Sequence, residues 1–253
     1  MNRRRWLSGA AAAALGAVLA GCDRIAASPT VQQALRMAEG LTLRAQRLIV
    51  PRDALAPTYS RAEISPDFRP NGSIDPAASD YVRLRDGGFA DYRLEIGGLV
   101  ERTLSLSLGE LRARPGQSQI TKHDCVEGWT SIAEWTGVRL SALLDEAGLR
   151  PEARFIVFHC FDALDQTENG VRYYESIDLI DARHPQTILA YAMNGRVLPV
   201  AHGAPLRLRV ERQLGYKHAK YIRRIEAVES FDAIGGGRGG YWEDLGYAWY
   251  AGI

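Results

Sequence analysis

Cysteine is scarce in this sequence, and what is missing around each one excludes several chemistries. Three occur, Cys22, Cys125 and Cys160, with no Cys-x-x-Cys pair, no metal-finger spacing and no Cys-x-x-Cys-His. A disulfide framework, a zinc module and a covalently attached haem are therefore set aside. An excess of charge of one sign is missing too: 31 Lys and Arg stand against 30 Asp and Glu, a formal net charge of +1, with no charged tail. That balance lacks the basic footprint of a nucleic-acid binder. The longest apolar run, Trp6 to Gly21, is only mildly hydrophobic and falls short of the roughly 18 residues of a spanning helix. The glycine run 235–240 lacks Gly-x-x-x-x-Gly-Lys-Ser/Thr, so it is expected to be a flexible turn that swings the chain end back toward the domain.

What is there is ordinary globular composition. With 253 residues, 46% hydrophobic and 24% charged, the chain can bury a substantial core in one or two domains. Its start reads as an export signal over residues 1–22. Arg3-Arg4-Arg5 leads into Trp6-Leu7 and an alanine-rich run, and Leu19-Ala20-Gly21-Cys22 closes it. The paired arginines resemble a twin-arginine (Tat) signal, and the closing tetrapeptide resembles a bacterial lipobox. Periplasmic location is the expectation, with membrane contact only through a lipid on Cys22, and Asp23 favouring the inner membrane. The twin-arginine route carries folded proteins, which suits an enzyme loaded with its cofactor before export.

A tether and spacer helix is expected over 23–60, its leucines and arginines at helical spacing between Ala26 and Val50. Residues 51–78, rich in Pro, Asp, Ser and Arg, either link the helix to the domain or wrap over it. The catalytic domain is assigned to 61–253. Strands are expected at Tyr92–Ile96, Phe155–Phe161, Leu206–Val210 and Ile222–Val228. A strand with a short helix is expected over Leu104–Leu111, a helix over Val138–Gly148, and strand or short helix at Ile188–Met193 before an Asn194-Gly195 turn. Strands and short helices mix without a βαβ rhythm or an internal repeat, so the fold class is α+β with mixed sheets.

Thr121-Lys122-His123-Asp124-Cys125-Val126-Glu127-Gly128-Trp129-Thr130 surrounds one cysteine with four ionisable side chains. Cys125 is either a ligand or a small buried hydrophobe. Downstream, Met193-Asn194-Gly195, Leu198-Pro199 and His202-Gly203-Ala204-Pro205-Leu206-Arg207 precede Gly215-Tyr216-Lys217-His218-Ala219-Lys220. Such a set of His, Arg and Lys on glycine-containing turns is either a cradle for a buried anion or a solvated basic edge.

In order and in content, these three segments resemble the sulfite-oxidase-type molybdopterin oxidoreductases. The likeness runs from about Phe68 to Ile253. That superfamily includes sulfite oxidase, plant nitrate reductase and the periplasmic protein-methionine-sulfoxide reductase catalytic subunit. The resemblance implies a Mo-molybdopterin cofactor of one molybdenum and one pyranopterin, with Cys125 as thiolate ligand to the metal. It assigns cofactor contacts to Asn71, Cys160, His202, Arg207, His218, Ala219 and Lys220. It also places Tyr247, in Trp242-Glu243-Asp244-Leu245-Gly246-Tyr247, beside the metal's exchangeable oxygen ligand.

The implied activity is two-electron oxygen-atom transfer on a small or protein-bound oxo substrate of S-oxide or N-oxide type. Electrons would come from a separate carrier such as a membrane or c-type cytochrome. Glu243 and Asp244 stand where sulfite oxidases carry arginines, and Asp124 and Glu127 flank the cysteine, which disfavours an anionic substrate. Arg238 or another arginine could offset this. The chain is expected to end before the immunoglobulin-like domain of sulfite oxidases, closer in size to the reductase branch. A sulfite dehydrogenase of the same family and a metal-free lipid-tethered binding protein are the alternatives.

Overall fold

The computed structural model describes residue 25 and residues 28–165 and 170–253. Cys22 and the export signal lie outside the described residues. One unit contributes helix α1, Pro29–Ile49, with Pro29 in its first turn, where the missing N–H costs no hydrogen bond. It is amphipathic, with Leu35, Met37, Leu41 and Leu48 exposed. Among the described residues no helix is long and apolar enough to cross a membrane.

The second compact unit spans Pro51–Ile253, starting earlier than the boundary expected at 61. Its first residues wrap over the domain instead of linking to it. Gln186 bonds both backbone groups of Ala56, Tyr59 N–H donates to Ile120 O (3.0 Å), and Ser65 N–H donates to Ile132 O (3.0 Å). This strap carries Phe68 and Asn71 to the site described below.

Short helix α2 (Ser79–Asp86) leads into β1 (Arg93–Gly98), β2 (Leu104–Ser107) and α3 (Leu108–Ala113). A capping box of Ser107 and Glu110 starts α3. Then come β3 (Gly116–Asp124), β4 (Thr130–Arg139), α4 (Leu140–Ala147), β5 (Phe155–Ala163) and β6 (Arg172–Asp178). The remainder is α5 (Leu179–Ala182), β7 (Ile188–Met193), β8 (Arg196–Val197), β9 (Arg207–Arg209), β10 (Ile222–Val228) and α6 (Tyr241–Asp244).

Two five-stranded sheets result. One runs β2-β1-β10-β5-β6, antiparallel except for the parallel pair β1–β10; the other runs β3-β4-β7-β8 with β9 also on β7. Leu94, Ile96, Ile156, Phe158 and Ile225 from the first sheet share a core with Leu140, Leu143 and Leu144 of α4. Each such side chain, fully buried, contributes about 1.5–3 kcal/mol. The mixed-sheet α+β fold is as expected.

One expectation shifts and one open choice is settled. Val138 and Arg139 belong to β4, since Val138 pairs with Leu189 across the sheet, so the helix begins only at Leu140 and ends at Gly148 (φ 70°). Ile188–Met193 is strand, with Asn194 and Gly195 at positive φ turning it into β8. The polar stretch before Cys125 is strand as well. Its inward residues are Gln119, Thr121 and His123, so the buried face of β3 is polar and leaves no hydrophobic alternation to read.

Gly137 sits at the irregularity between β4 and β7, where an added Cβ would come within 2.2 Å of Leu189 O and 2.7 Å of Ala190 Cα. Backbone cannot yield as a flexible side chain can. Gly137→Ala is expected to lower stability by about 1–3 kcal/mol, read as an earlier midpoint in denaturant titration.

Candidate active site

Cys125 occupies the turn that joins β3 to β4. Its N–H donates to Trp129 O (2.9 Å), its carbonyl accepts from Gly128 N–H (3.0 Å), and Gly128 supplies the positive φ (85°) this tight reversal needs. The thiol is nearly buried and faces a cavity of about 140 Å³. Burial pushes its pKa up, and the Glu127 backbone N–H partly opposes that. A raised thiol is unlike the depressed pKa of a nucleophilic cysteine, whereas a coordinated metal would deprotonate it outright.

Asn71, His218, Lys220 and Tyr247 line the same cavity. Thus residues from the strap, the 215–220 turn and the chain end meet the β3–β4 hairpin at one cavity. Lys220 Nζ donates to the carbonyls of Asn71 (2.6 Å), Ser73 and Ala201 (3.1 Å), tying the strap to the wall. Burial and then Arg207 bring Lys220 down to about 7, and burial raises the neighbouring Asp162 to about 6.

Arg207 and Arg209 project from the same face of β9, while Leu208 between them enters the core. Both guanidiniums lie over the ring of fully buried Trp135, at 4.8 and 4.5 Å from its centroid. Arg209 is satisfied: its Nε donates to Glu211 Oε1 (2.9 Å) and its Nη1 to His123 Nδ1 (3.0 Å). Arg207 is not. Its Nη1 donates to His202 O (2.9 Å), but Nε and Nη2 are buried without an acceptor among the described residues.

Two histidines repeat the pattern. Because Arg209 donates to Nδ1 of His123, the hydrogen of neutral His123 resides on Nε2, which has no partner among the described residues. His218 bonds Gln213 O through Nε2 (3.0 Å), leaving Nδ1 unpartnered, and the two rings stand 5.0 Å apart. Burial holds both well below the usual histidine pKa, with Arg209 and Arg207 adding to it. Gly215 packs against this pair, since a Cβ there would lie 2.6 Å from His123 Nε2. A fully buried guanidinium with two free N–H groups and a buried imidazole N–H, both without acceptors among the described residues, fit a deeply held anion such as a phosphate, with Lys220 adding positive charge.

Four expected contacts are placed differently, Arg207 among them, since it does not line this cavity. Cys160 is 1% exposed inside the main core, and it is Asp162, two residues on along β5, that reaches the cavity. Ala219 is also in the core, its N–H donating to Lys217 O (3.2 Å) and its carbonyl accepting from Leu208 N–H (2.8 Å). Neither side chain meets the cavity wall. His202 lines a neighbouring cavity of about 400 Å³ with Asp67, Phe68 and Asn194. The Phe68 ring stands between the histidines, its centroid 5.4 Å from His202 and 5.7 Å from His123.

The acidic rim also divides. Glu127 lines the cavity and accepts from Trp129 Nε1 (2.9 Å), whereas Asp124 pairs with Lys122 (3.0 Å). Arg238 does not line it; the arginine whose charge reaches the Cys125 thiol is Arg69, 5.9 Å from the Trp129 ring centroid. Sequence reading missed His123, Arg209, Asp162 and Tyr173. His123 alone carried a signal, as the second ionisable residue before Cys125.

Comparison with known proteins adds independent findings. The family model described as oxidoreductase molybdopterin binding domain matches residues 82–232. A provisionally named protein-methionine-sulfoxide reductase subunit, YedZ1, of Azospira oryzae is 36% identical over 93% of this chain and 82% of its own. The protein-methionine-sulfoxide reductase catalytic subunit MsrP of Xanthomonas axonopodis pv. citri is 35% identical over 61% of this chain, which spans about half (48%) of that relative. Among solved structures, the sulfane dehydrogenase SoxCD from Paracoccus pantotrophus matches at TM-score 0.49 and 27% identity, over 56% of this chain and 40% of that one.

Proposed function

The chain belongs to the oxidoreductase molybdopterin-binding domain family, and from that premise we propose that it is a periplasmic reductase that removes the oxygen atom from an S-oxide or N-oxide. Methionine sulfoxide carried on a polypeptide is the leading substrate. The relatives named as methionine-sulfoxide reductases support this direction. The observation that carries it is the cavity mouth. Val126, Trp242 and Tyr247 give it an apolar and aromatic lining, Glu127 adds a negative charge, and no arginine among the described residues lines it. Such a surface accepts a neutral, polarisable thioether oxide and repels a dianion.

The residues present fit the cofactor the family implies. Arg207 and His123 would hold the anionic end of the pyranopterin through their free N–H groups, with Lys220 adding positive charge and Asn71 closing over it, and Cys125 would be the protein's ligand to molybdenum. When bound, the group supplies two-electron oxygen-atom exchange. The rest is done by side chains. Leu164, Val126 and Trp242 exclude water from the cavity. Tyr247, edge-on to Tyr216 (5.3 Å) and tilted over Trp242 (5.1 Å), would orient the oxygen being removed through its hydroxyl. A separate one-electron carrier would supply reducing equivalents. Export by the twin-arginine route and a lipid on Cys22 at the inner membrane complete the reading, on the basis of the amino-terminal sequence.

The test is expression in a cofactor-competent host, metal and pterin analysis, then a substrate panel with artificial electron donors and acceptors. Stoichiometric molybdenum and faster turnover of methionine sulfoxide than of sulfite are expected. Sulfite oxidation without S-oxide reduction would establish a dehydrogenase instead. Absence of molybdenum and pterin would overturn the cofactor assignment.

A further inference from the structure

A second buried charge cluster lies directly behind the aromatic wall of the cavity. Lys217 Nζ donates to Glu175 Oε1 and to Glu243 Oε1 (2.6 Å), and all three side chains are 0–1% exposed. Each is tied to a wall residue: Glu175 follows Tyr173 by two positions on β6, Lys217 follows Tyr216, and Glu243 follows Trp242. Two carboxylates against one ammonium leave one negative charge in excess. Glu243 Oε2 has no partner among the described residues, and it sits where only glycine fits at 240, since a Cβ there would lie 2.0 Å away.

A buried carboxylate oxygen without a donor is costly, and one proton shared by the pair removes the excess charge. Burial, and then the charge of Glu243, pushes Glu175 well above the usual carboxyl range. The other titratable groups around the pair are Tyr173 and Tyr174 of β6, Asp244 of α6, bonded to Tyr174 (2.6 Å), and Cys160 and Asp162 of β5. None of these brings a second cation.

The pair has one outlet toward the cavity. The Tyr173 hydroxyl donates to Tyr216 O (2.5 Å) and stands 3.5 Å from Glu175 Oε2, and Tyr173 itself lines the cavity. With its hydrogen on Tyr216, the phenol oxygen presents a lone pair to a protonated Glu175. Bonds of this kind tighten when substrate binds.

We propose that Glu175 and Glu243, clamped by Lys217, hold one exchangeable proton and pass it through Tyr173 to the oxygen atom that leaves the substrate as water. This rests on the oxygen-removal reading above. In balance, one sulfoxide, two protons and two electrons give one thioether and one water. The S–O bond breaks and two O–H bonds form. One proton comes from the glutamate pair and is restored from solvent, and the other enters through the cavity mouth. The electrons come from the external one-electron carrier by way of the cofactor. Glu175, Glu243 and Lys217 are positioning residues that act through Tyr173.

Four measurements on the loaded enzyme, normalised to molybdenum content, test this. Glu175→Gln removes the carrier and should lower kcat about a hundredfold with KM unchanged. Tyr173→Phe should do the same and abolish the solvent deuterium effect on kcat, while leaving the triad intact. In the wild type kcat should fall as pH rises through the pKa of the pair. Glu243→Gln removes the charge that raises Glu175 and should move that alkaline limb to lower pH.

A fifth measurement needs no turnover. The infrared difference between wild type and Glu175→Gln at neutral pH should contain a protonated-carboxyl carbonyl band. Absence of that band, or wild-type kcat and isotope effect in Tyr173→Phe, overturns the proposal, the latter even if Glu175→Gln fails to fold. Wild-type protein that shows the band but reduces no S-oxide refutes the functional reading and the delivery step together. S-oxide reduction with an unmoved alkaline limb in Glu243→Gln refutes the delivery alone.

Discussion

Cys125→Ser is expected to yield a folded protein that lacks thiolate-to-metal absorption and has turnover no higher than the assay background. The hairpin turn is held by backbone bonds at Cys125 and Gly128, which serine keeps, and the two side chains differ little in volume. Thermal unfolding of the cofactor-free variant should therefore match that of cofactor-free wild type. What changes is ligand softness, because an alkoxide or hydroxyl is a poor substitute for a thiolate on a thiophilic metal. Cysteine acting only as a packing residue would give the opposite outcome, with normal activity in the serine variant. A nucleophile is disfavoured on separate grounds, since burial raises this thiol instead of poising it as a thiolate.

Arg207→Met should separate two effects that usually travel together, losing the cofactor while gaining stability without it. In the cofactor-free protein Arg207 is a fully buried cation with two N–H groups unpaired and Arg209 sharing the same tryptophan ring. Replacing such a charge by an apolar side chain of similar length relieves desolvation and repulsion, and comparable exchanges stabilise by about 1–4 kcal/mol. The cofactor-free variant should accordingly unfold at higher denaturant concentration than cofactor-free wild type. In the loaded state the same substitution removes a fork that pairs with the anion, so purified Arg207→Met should carry little molybdenum or pterin. Retention of full cofactor content by this variant would mean that the unpaired guanidinium serves some other group.

Strands that bury hydrophobic faces were legible in the sequence. Tyr92–Ile96, Phe155–Phe161 and Ile222–Val228 carry their burial in their residue types, and each lies in the first sheet. The hairpin that holds Cys125 was not legible, because β3 turns the polar Gln119, Thr121 and His123 inward, Gln119 onto Glu211 and His123 onto Arg209. A polar interior has no hydrophobic period to detect. The site divides along similar lines. Cys125, Asn71, His218, Lys220 and Tyr247 were found through motif order and do share a cavity. Arg209 and His123 were missed because their meaning depends on pairing that only the fold creates, between His123 of β3 and Arg209 of β9, which Glu211 two residues on then holds. Cys160 shows the converse error. The motif pointed to the right strand, but strand alternation and the core decided which side chain, Asp162, reaches the cavity.

The parallel pairing of β1 with β10 bears on how the protein is made. Ile96 lies opposite Ile225, so the strand at the centre of the first sheet, between β1 and β5, emerges from the ribosome after both of its neighbours. Contacts this distant in sequence must bear the loop-closure entropy before any pairing repays it, which slows folding. Until β10 is made, the nascent chain carries one edge of β1 and one of β5 unpaired, a state prone to aggregation. The cavity inherits this timing, because Asn71 and Tyr247 reach it from opposite ends of the unit. Its walls close only once both segments have been made, which places cofactor insertion after the synthesis of Tyr247.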